Sequence, residues 1–445
     1  MHALFRNRDF TRLFAGRIVT NVGDSLYFVA AMWLVYRLTG SAAYSGIAGF
    51  LVMAPSALQA FFGPLVDRWD LRHILVRTQL IQGVVIAALP VAHYFGYLSV
   101  WLILTVMPLL SLLNQLVYPA NSALLPRLVE DDELVTANSL FSLAYQGIDA
   151  VANAAGGVLI AIVGATTLFI VDSVTFAAAA LLFASIRVPP ADDEDAEDGD
   201  DVRVSAADSE PGEAVPATDG GRDAQESGQP DGASSYLADL TEGIDFVRGT
   251  VLVPILVGAA LVNFAAGGSV FASMPAFADT FGGARAYGVL MAAFGVGSFL
   301  GALVASRVEN QPFGRLSVVC FVTSGLVWLL FVFLAAKTGN LGLTAVVFAL
   351  AVVPIGASNV LLAAMTQSIV PESLMGRVSA VLGSAASVSI PIGALVGGTL
   401  TEAIGPYPLF AATGVSLLLL GVYWLANGRL RTMPAVAAVD TLAAD

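Results

Sequence analysis

The chain has 445 residues, of which 57% are hydrophobic and only 12% are charged, whereas a soluble domain carries about 25% charged residues. Water cannot solvate so apolar a chain, and the composition excludes an ordinary soluble protein. The net charge of −14 is concentrated in residues 192–231, where fifteen acids face two arginines. No basic patch suited to nucleic acid is present, and we expect no nucleic-acid partner.

Apolar runs of about 20 residues recur along the chain, and each is long enough to cross a hydrocarbon core as a helix. Six of these runs precede the acidic stretch, near 13–37, 43–66, 74–94, 98–119, 138–163 and 165–186. Six follow it, near 251–277, 285–307, 313–335, 341–364, 378–402 and 407–427. The sequence therefore predicts an all-α integral membrane protein with twelve transmembrane helices.

We predict four regions: an N-terminal six-helix bundle (1–187), a disordered acidic cytoplasmic linker (188–235), an interfacial helix followed by a C-terminal six-helix bundle (236–430), and a cytoplasmic tail (431–445). The interfacial helix is predicted because Leu237, Leu240, Ile244 and Val247 recur at helical spacing, with acids on the other face. An ordinary polar start to the seventh span is the alternative.

The cationic residues indicate the topology. Seventeen of the twenty fall in segments that twelve spans with both termini inside would place in the cytoplasm. The other three are Arg37, Arg285 and Lys337. We therefore expect a multi-pass plasma-membrane protein with both termini cytoplasmic.

An internal repeat relates the two halves. Gly156 and Gly157 are followed by Gly164, and the same pattern recurs 241 residues later, at positions 397, 398 and 405. Two further matches, in the second and eighth spans and after the fourth and tenth, have nearly equal offsets in the same order. A repeat of this kind predicts two pseudo-symmetric six-helix bundles with a site between them near the membrane midplane.

The loop after the second span reads GPLVDRWDLRHIL from position 63. It resembles the signature loop of the major facilitator superfamily, and its Asp-Arg-x-Asp variant is similar to the branch of macrolide-efflux proteins and enterobactin exporters. The resemblance implies the major facilitator fold and a gating loop at Gly63, Asp67, Arg68 and Arg72, where Asp67 would lock a neighbouring helix N-terminus or arginine. The matching loop of the second half has Ala305 in place of the aspartate.

Two polar stripes lie at membrane depth, where ionisable residues are costly. The first span carries Arg17, Asn21 and Asp24 at spacings of four and three, and the fifth span carries a second stripe that includes Asp149. We predict that Asp24 and Asp149 carry protons, since alternating access to a carboxyl group couples proton flow to transport. The alternatives are a permanent Arg17–Asp24 pair or bracing of helices. Asp172 is expected to be interfacial, and Glu402 is expected near the outer surface.

The remaining predicted site residues would line a central substrate cavity, in which polar and aromatic side chains mix. They are Asn21, Phe28, Gln115, Gln146, Asn263, Phe264, Phe271 and Asn359. We expect no metal site and no cofactor, with H⁺ or Na⁺ as the coupling ion. The partners would be a small-molecule substrate and the lipid bilayer, and the chain would act as a monomer.

These features predict a secondary active transporter that exports amphipathic small molecules, such as a drug, a macrolide or a siderophore, by proton-coupled alternating access. An uncoupled membrane protein is the alternative, either a lipid scramblase or a transport-like sensor that acts through the linker. No arrangement of nucleophile, base and orienting residue suggests an enzyme.

Overall fold

A computed structural model describes residues 4–58, 69–188, 251–370, 372–435 and 438, and this part of the chain is all-helical. The helices are α1 (Arg8–Thr39), α2 (Ala42–Met53), α3 (Leu71–Tyr94), α4 (Val100–Leu124), α5 (Asp131–Val163), α6 (Ala165–Ala184), α7 (Leu252–Asp279), α8 (Ala284–Val308), α9 (Phe313–Thr338), α10 (Leu341–Ile369), α11 (Glu372–Ile404), α12 (Pro406–Ala426) and the short α13 (Gly428–Arg431). Short 3₁₀ turns precede α1 and follow α2 and α4.

Ten of the first twelve helices are long and apolar enough to cross a membrane, and α2 is a shorter apolar helix. The helix α5 is 33 residues long and begins with a charged turn. Each of the twelve overlaps one of the predicted spans, although the span predicted at 43–66 is described only up to residue 58. The prediction of a twelve-helix membrane fold is confirmed. The predicted linker and interfacial helix fall almost entirely within 189–250, outside the described residues.

Polar caps explain why several helices begin where they do. The Asn7 side chain accepts hydrogen bonds from the backbone N–H groups of Asp9 and Phe10, at 3.0 and 3.1 Å, and α1 therefore starts five residues before the predicted span. The carboxylate of Asp70 accepts from the His73 N–H at 2.9 Å and caps α3. This hydrogen bond is the main reason that the pKa of Asp70 lies below its ordinary value.

The helices form two bundles, α1–α6 and α7–α12. Within the first, α6 packs along α1 and α3, and within the second, α8 packs on α10 and α9 packs on α12. The bundles meet where α5 contacts α8 and where α2 contacts α11, with smaller contacts from α7 to α1 and α2. Because α2 corresponds to α8 and α5 to α11 in the repeat, these two interfaces are related by the pseudo-symmetry.

The repeated glycines support the same symmetry. Gly164 and Gly405 have φ values of 82° and 84°, and each forms the turn before the last helix of its bundle. A residue with a Cβ atom would be strained at such a φ angle, which explains why glycine recurs there. Twelve helices place the start of α1 and the end of α12 at one face of the molecule, which we call the terminal face, and we call the opposite one the distal face.

Candidate functional site

The two bundles are in backbone contact near the distal face. A Cβ atom built on Gly157 of α5 would lie 1.9 Å from the Gly288 Cα atom of α8. On the related interface, a Cβ atom on Gly46 of α2 would lie 3.0 Å from the Gly398 Cα atom of α11. Any side chain at these four positions would push the bundles apart. Gly157 and Gly398 belong to the repeat seen in the sequence, whereas no sequence pattern points to Gly46 or Gly288.

Polar and aromatic groups complete this contact. The carboxylate Oε2 atom of Glu402 on α11 accepts a hydrogen bond from the Ala42 backbone N–H at 2.8 Å. The side chain of the N-cap residue, Ser41, makes no capping hydrogen bond, so Glu402 caps α2 from the other bundle. Trp33 stacks on Tyr287 across the interface, with ring centroids 5.5 Å apart. The Tyr36 hydroxyl of α1 donates to the Asp279 Oδ2 atom at the end of α7, at 3.4 Å. We call the four glycines, together with these polar and aromatic residues, the distal seal.

The same helices separate toward the terminal face. Within the described part of the chain, no atom of another helix lies within 4 Å of a Cβ atom built on Gly147 of α5 or on Gly383 of α11. On α5, Val135 and Leu143 are 76% and 68% exposed, whereas Gly157, further along the same helix, is buried. The molecule is therefore closed at the distal face and open toward the terminal face.

Near this opening, α1 presents the predicted polar stripe. Arg17 is buried, and its Nε atom donates a hydrogen bond to the Tyr145 hydroxyl of α5 at 2.9 Å, with the guanidinium over the tyrosine ring. Arg17 therefore pairs with Tyr145, and the ion pairs between described residues include none between Arg17 and Asp24. Asn21 is half-buried, and its Oδ1 atom has no hydrogen-bond partner among the described atoms.

Asp24 lies in a polar pocket of the first bundle. It is half-buried, and the Asn114 side chain of α4 donates to its Oδ2 atom at 3.5 Å. Asp172 of α6 is close enough for its carboxyl group to interact electrostatically with that of Asp24. The Tyr27 hydroxyl, one turn further along α1, interacts electrostatically with both carboxyl groups. The prediction that Asp172 is interfacial is wrong, because its buried side chain lies against Gly23, midway along α1. The helical rotation of α6 turns it onto α1.

Gly23 makes the contact between α1 and α6 possible. A Cβ atom at this position would lie 2.1 Å from the Asp172 Oδ1 atom and 2.2 Å from the Thr175 hydroxyl oxygen. The Thr175 hydroxyl donates to the Asp172 Oδ1 atom at 3.0 Å. The Asp172 carboxyl therefore lies directly against the α1 backbone, one residue from Asp24.

Two predicted cavity aromatics meet across the bundles. The rings of Phe28 on α1 and Phe271 on α7 have centroids 6.4 Å apart, and Phe271 also packs edge-on against Phe294 of α8 at 4.8 Å. Asn263 and Phe264 lie about two turns earlier on α7, at the start of a π-helical segment (Asn263–Ser269). Such irregular segments are frequent at functional sites.

Other predicted residues lie elsewhere. Asn359 borders a small cavity inside the second bundle, beside Trp424 and Ser317, and the described residues that line this cavity include neither Phe28 nor Phe271. The Gln115 side chain donates to the Ser111 carbonyl of its own helix at 3.1 Å. Arg72 is exposed and donates to the Ala184 carbonyl at the end of α6.

The other five predicted residues belong to the signature loop and to α5. Gly63, Asp67 and Arg68, together with the side chains of Gln146 and Asp149, lie outside the described residues. The gating role of the signature loop and the proton-carrying role of Asp149 stay predictions.

Two bundles of six helices, closed on one face and open toward the other, define a membrane transporter. The sequence matches the Major Facilitator Superfamily over residues 13–381 and 256–439, and the chain belongs to that family. Its substrate is accordingly a small molecule, and the protein is embedded in a membrane.

Comparison with known proteins gives the same class. The chain is 27% identical to the multidrug efflux pump Tap of Mycolicibacterium fortuitum, over 95% of this chain and 96% of Tap. It is 26% identical to macrolide efflux protein A of Streptococcus pyogenes, over 40% of this chain and 45% of that protein. Its fold is similar to the crystal structure of a mutant of the nucleoside transporter NupG, with a TM-score of 0.66, 10% identity and coverage of 94% and 99%.

Proposed function

We propose that this chain is an exporter of amphipathic small molecules that works by alternating access and is driven by inward proton flow. The observation that carries the proposal is the asymmetry of the bundle contacts, which close the distal face and leave the terminal face open. With the terminal face in the cytoplasm, as the cationic residues predict, this is the state that takes up substrate from inside the cell. The relatives named as efflux pumps support the direction of transport.

The residues between the bundles support an amphipathic substrate. Phe28, Phe271 and Phe294 supply an apolar aromatic surface, and the half-buried amides of Asn21 and Asn263 lie on the same two helices, α1 and α7. Sites that combine apolar walls with a few polar groups bind largely apolar ligands and orient them. A lipid scramblase or a linker-based sensor is not favoured, because the fold and the relatives are those of transporters.

Asp24 is the residue that we propose to couple proton flow to export. It belongs to the stripe near the opening, and its half-buried carboxyl is in contact with Asn114. A carboxyl that exchanges its proton on one side of the membrane at a time allows a pH gradient to drive transport.

Purified protein in liposomes tests this role, with a cationic amphipathic dye as substrate. The Asp24→Asn variant should lose pH-driven dye accumulation by at least about tenfold, while exchange of dye between the two sides persists, because exchange needs no net proton movement. Glu309→Gln is the matched control, since Glu309 is an exposed acid in the turn between α8 and α9. Undiminished pH-driven transport by Asp24→Asn would remove Asp24 from the coupling role.

A further inference from the structure

The polar pocket that holds Asp24 and Asp172 contains two oxygen atoms with no hydrogen-bond partner among the described atoms. One is the Asp172 Oδ2 atom, in a side chain with 0% exposure, and the other is the Tyr27 hydroxyl, in a side chain with 5% exposure. Buried polar groups nearly always have partners, and an orphaned pair on adjacent helices commonly marks an unplaced ion or water. Both oxygens are hard donors of the kind that small cations prefer.

No described side chain places a positive charge beside the Asp172 carboxyl group. The charged group that acts on it is a second acid, Asp24. Arg17, two turns away on α1, is engaged by Tyr145. A carboxylate taken out of water without a cation carries a large desolvation cost, which a bound positive charge removes.

The helices packed on this pocket contribute little further charge. On α3, the side chains that face inward are Gln79 and Gln82, which hydrogen-bond to each other and to the Leu110 carbonyl. On α4 the neighbouring group is Asn114, and on α6 it is Thr175. The titratable groups that face Asp172 are therefore Asp24 and Tyr27 on α1; the Asp149 side chain of α5 lies outside the described residues.

We propose that Asp172, Tyr27 and Asp24 form a binding site for one small monovalent cation between α1 and α6, and that the coupling ion of transport binds there. The ion enters through Asp24, which is half-exposed, and binds against Asp172, which is fully buried. Gly23 is part of the site because any larger residue would separate the Asp172 carboxyl from α1. The proposal rests on the coupled export proposed above, and it adds α6 to the coupling machinery.

Ion binding can be measured without transport, on the full chain in lipid nanodiscs. The probes are sodium chloride titrated against choline chloride at alkaline pH, followed by thermal unfolding, and a pH titration followed by the infrared carbonyl stretch of protonated carboxyl groups. If the site binds sodium, adding sodium chloride raises Tm, whereas adding choline chloride does not. A proton site gives a carboxyl signal that titrates and leaves Tm insensitive to sodium.

Two variants identify the site. Asp172→Asn should weaken binding of whichever ion responds by more than about a hundredfold, because a buried charge partner is removed. Tyr27→Phe should weaken it by about tenfold, the effect of one hydrogen bond to a charged group. A purely structural role for Tyr27 predicts no loss, since the variant removes an unpartnered hydroxyl without changing the shape. Tyr27→Phe also keeps the test decisive if Asp172→Asn fails to fold.

The outcomes separate this inference from the proposed function. Ion binding that is unchanged in Tyr27→Phe and in folded Asp172→Asn, or absent from the parent protein, would overturn the site even if pH-driven export is observed. Ion binding that is lost in both variants and kept in Glu309→Gln supports the site, whether or not the dye is exported.

Discussion

Glu402 should hold the distal face closed, and its removal should open it. The Glu402 carboxylate caps α2 across the bundle interface at 2.8 Å, and Ser41 supplies no local cap. A charged acceptor at a helix N-terminus contributes about 0.3–1 kcal/mol. Because this contact joins the two bundles, it exists only while the distal face is closed. Glu402→Ala should therefore increase the ratio of distal-open to distal-closed molecules up to about fivefold.

Spin labels at Leu38 and Ile404, both exposed at the distal face but on different bundles, report this ratio by double electron–electron resonance. Cys320 is the sole cysteine and is buried, so a Cys320→Ser background suffices for specific labelling. Ser41→Asp is the matched control in the Glu402→Ala protein, because it restores a cap to α2 without joining the bundles. Distances that are unchanged in Glu402→Ala, or that Ser41→Asp restores to the closed distribution, would refute a cross-bundle role.

Two further variants test the seal and a helix cap. Gly157→Val should open the distal face in the same distance measurement, because the valine side chain would overlap the α8 backbone. Gly147→Val, on the same helix but facing open space, should leave the distal face closed. Equal effects of the two variants would contradict the assigned state. Asp70→Ala should destabilise α3 by about 1 kcal/mol in thermal unfolding at neutral pH, with Asp70→Ser as the capping control. Because the pKa of Asp70 is lowered in the folded protein, its contribution is present at neutral pH and is lost as the pH falls through that lowered value. A difference from wild type that persists unchanged in acid would contradict this origin.

The helices and the duplication were predictable because their signals are local. The length of an apolar run is set by the membrane thickness, so twelve runs give twelve helices without knowledge of how they pack. Gly164 and Gly405 have a fixed place in the chain and a fixed backbone angle, and a repeat of such turns survives divergence of the surrounding residues.

Contacts between helices were much less predictable. The sequence places Glu402 and Asp172 near the membrane surface because each lies within about three turns of a helix end, where an acid is usually solvated. The environment of each acid is set by the helix that it contacts. Glu402 contacts the start of α2, and Asp172 contacts α1 at Gly23. Gly23 next to Asp24 was the available signal, since a glycine beside an ionisable residue within a span allows another helix to approach closely.

The repeat also shows why ion binding would be confined to the first bundle. Asp172 is the eighth residue of α6, and the eighth residue of α12 is Thr413. Thr413 is also buried, but its hydroxyl donates to the Leu409 carbonyl of its own helix and needs no external charge. The glycine contacts of the distal seal are symmetric, whereas the polar pocket that holds Asp24 and Asp172 has no counterpart in α12. An ion that binds or leaves would thus act within the first bundle, where α1 places Phe28 and Trp33 in contact with their partners on the second bundle. Replacing Thr413 by Val should therefore leave ion binding unchanged, in contrast to Asp172→Asn.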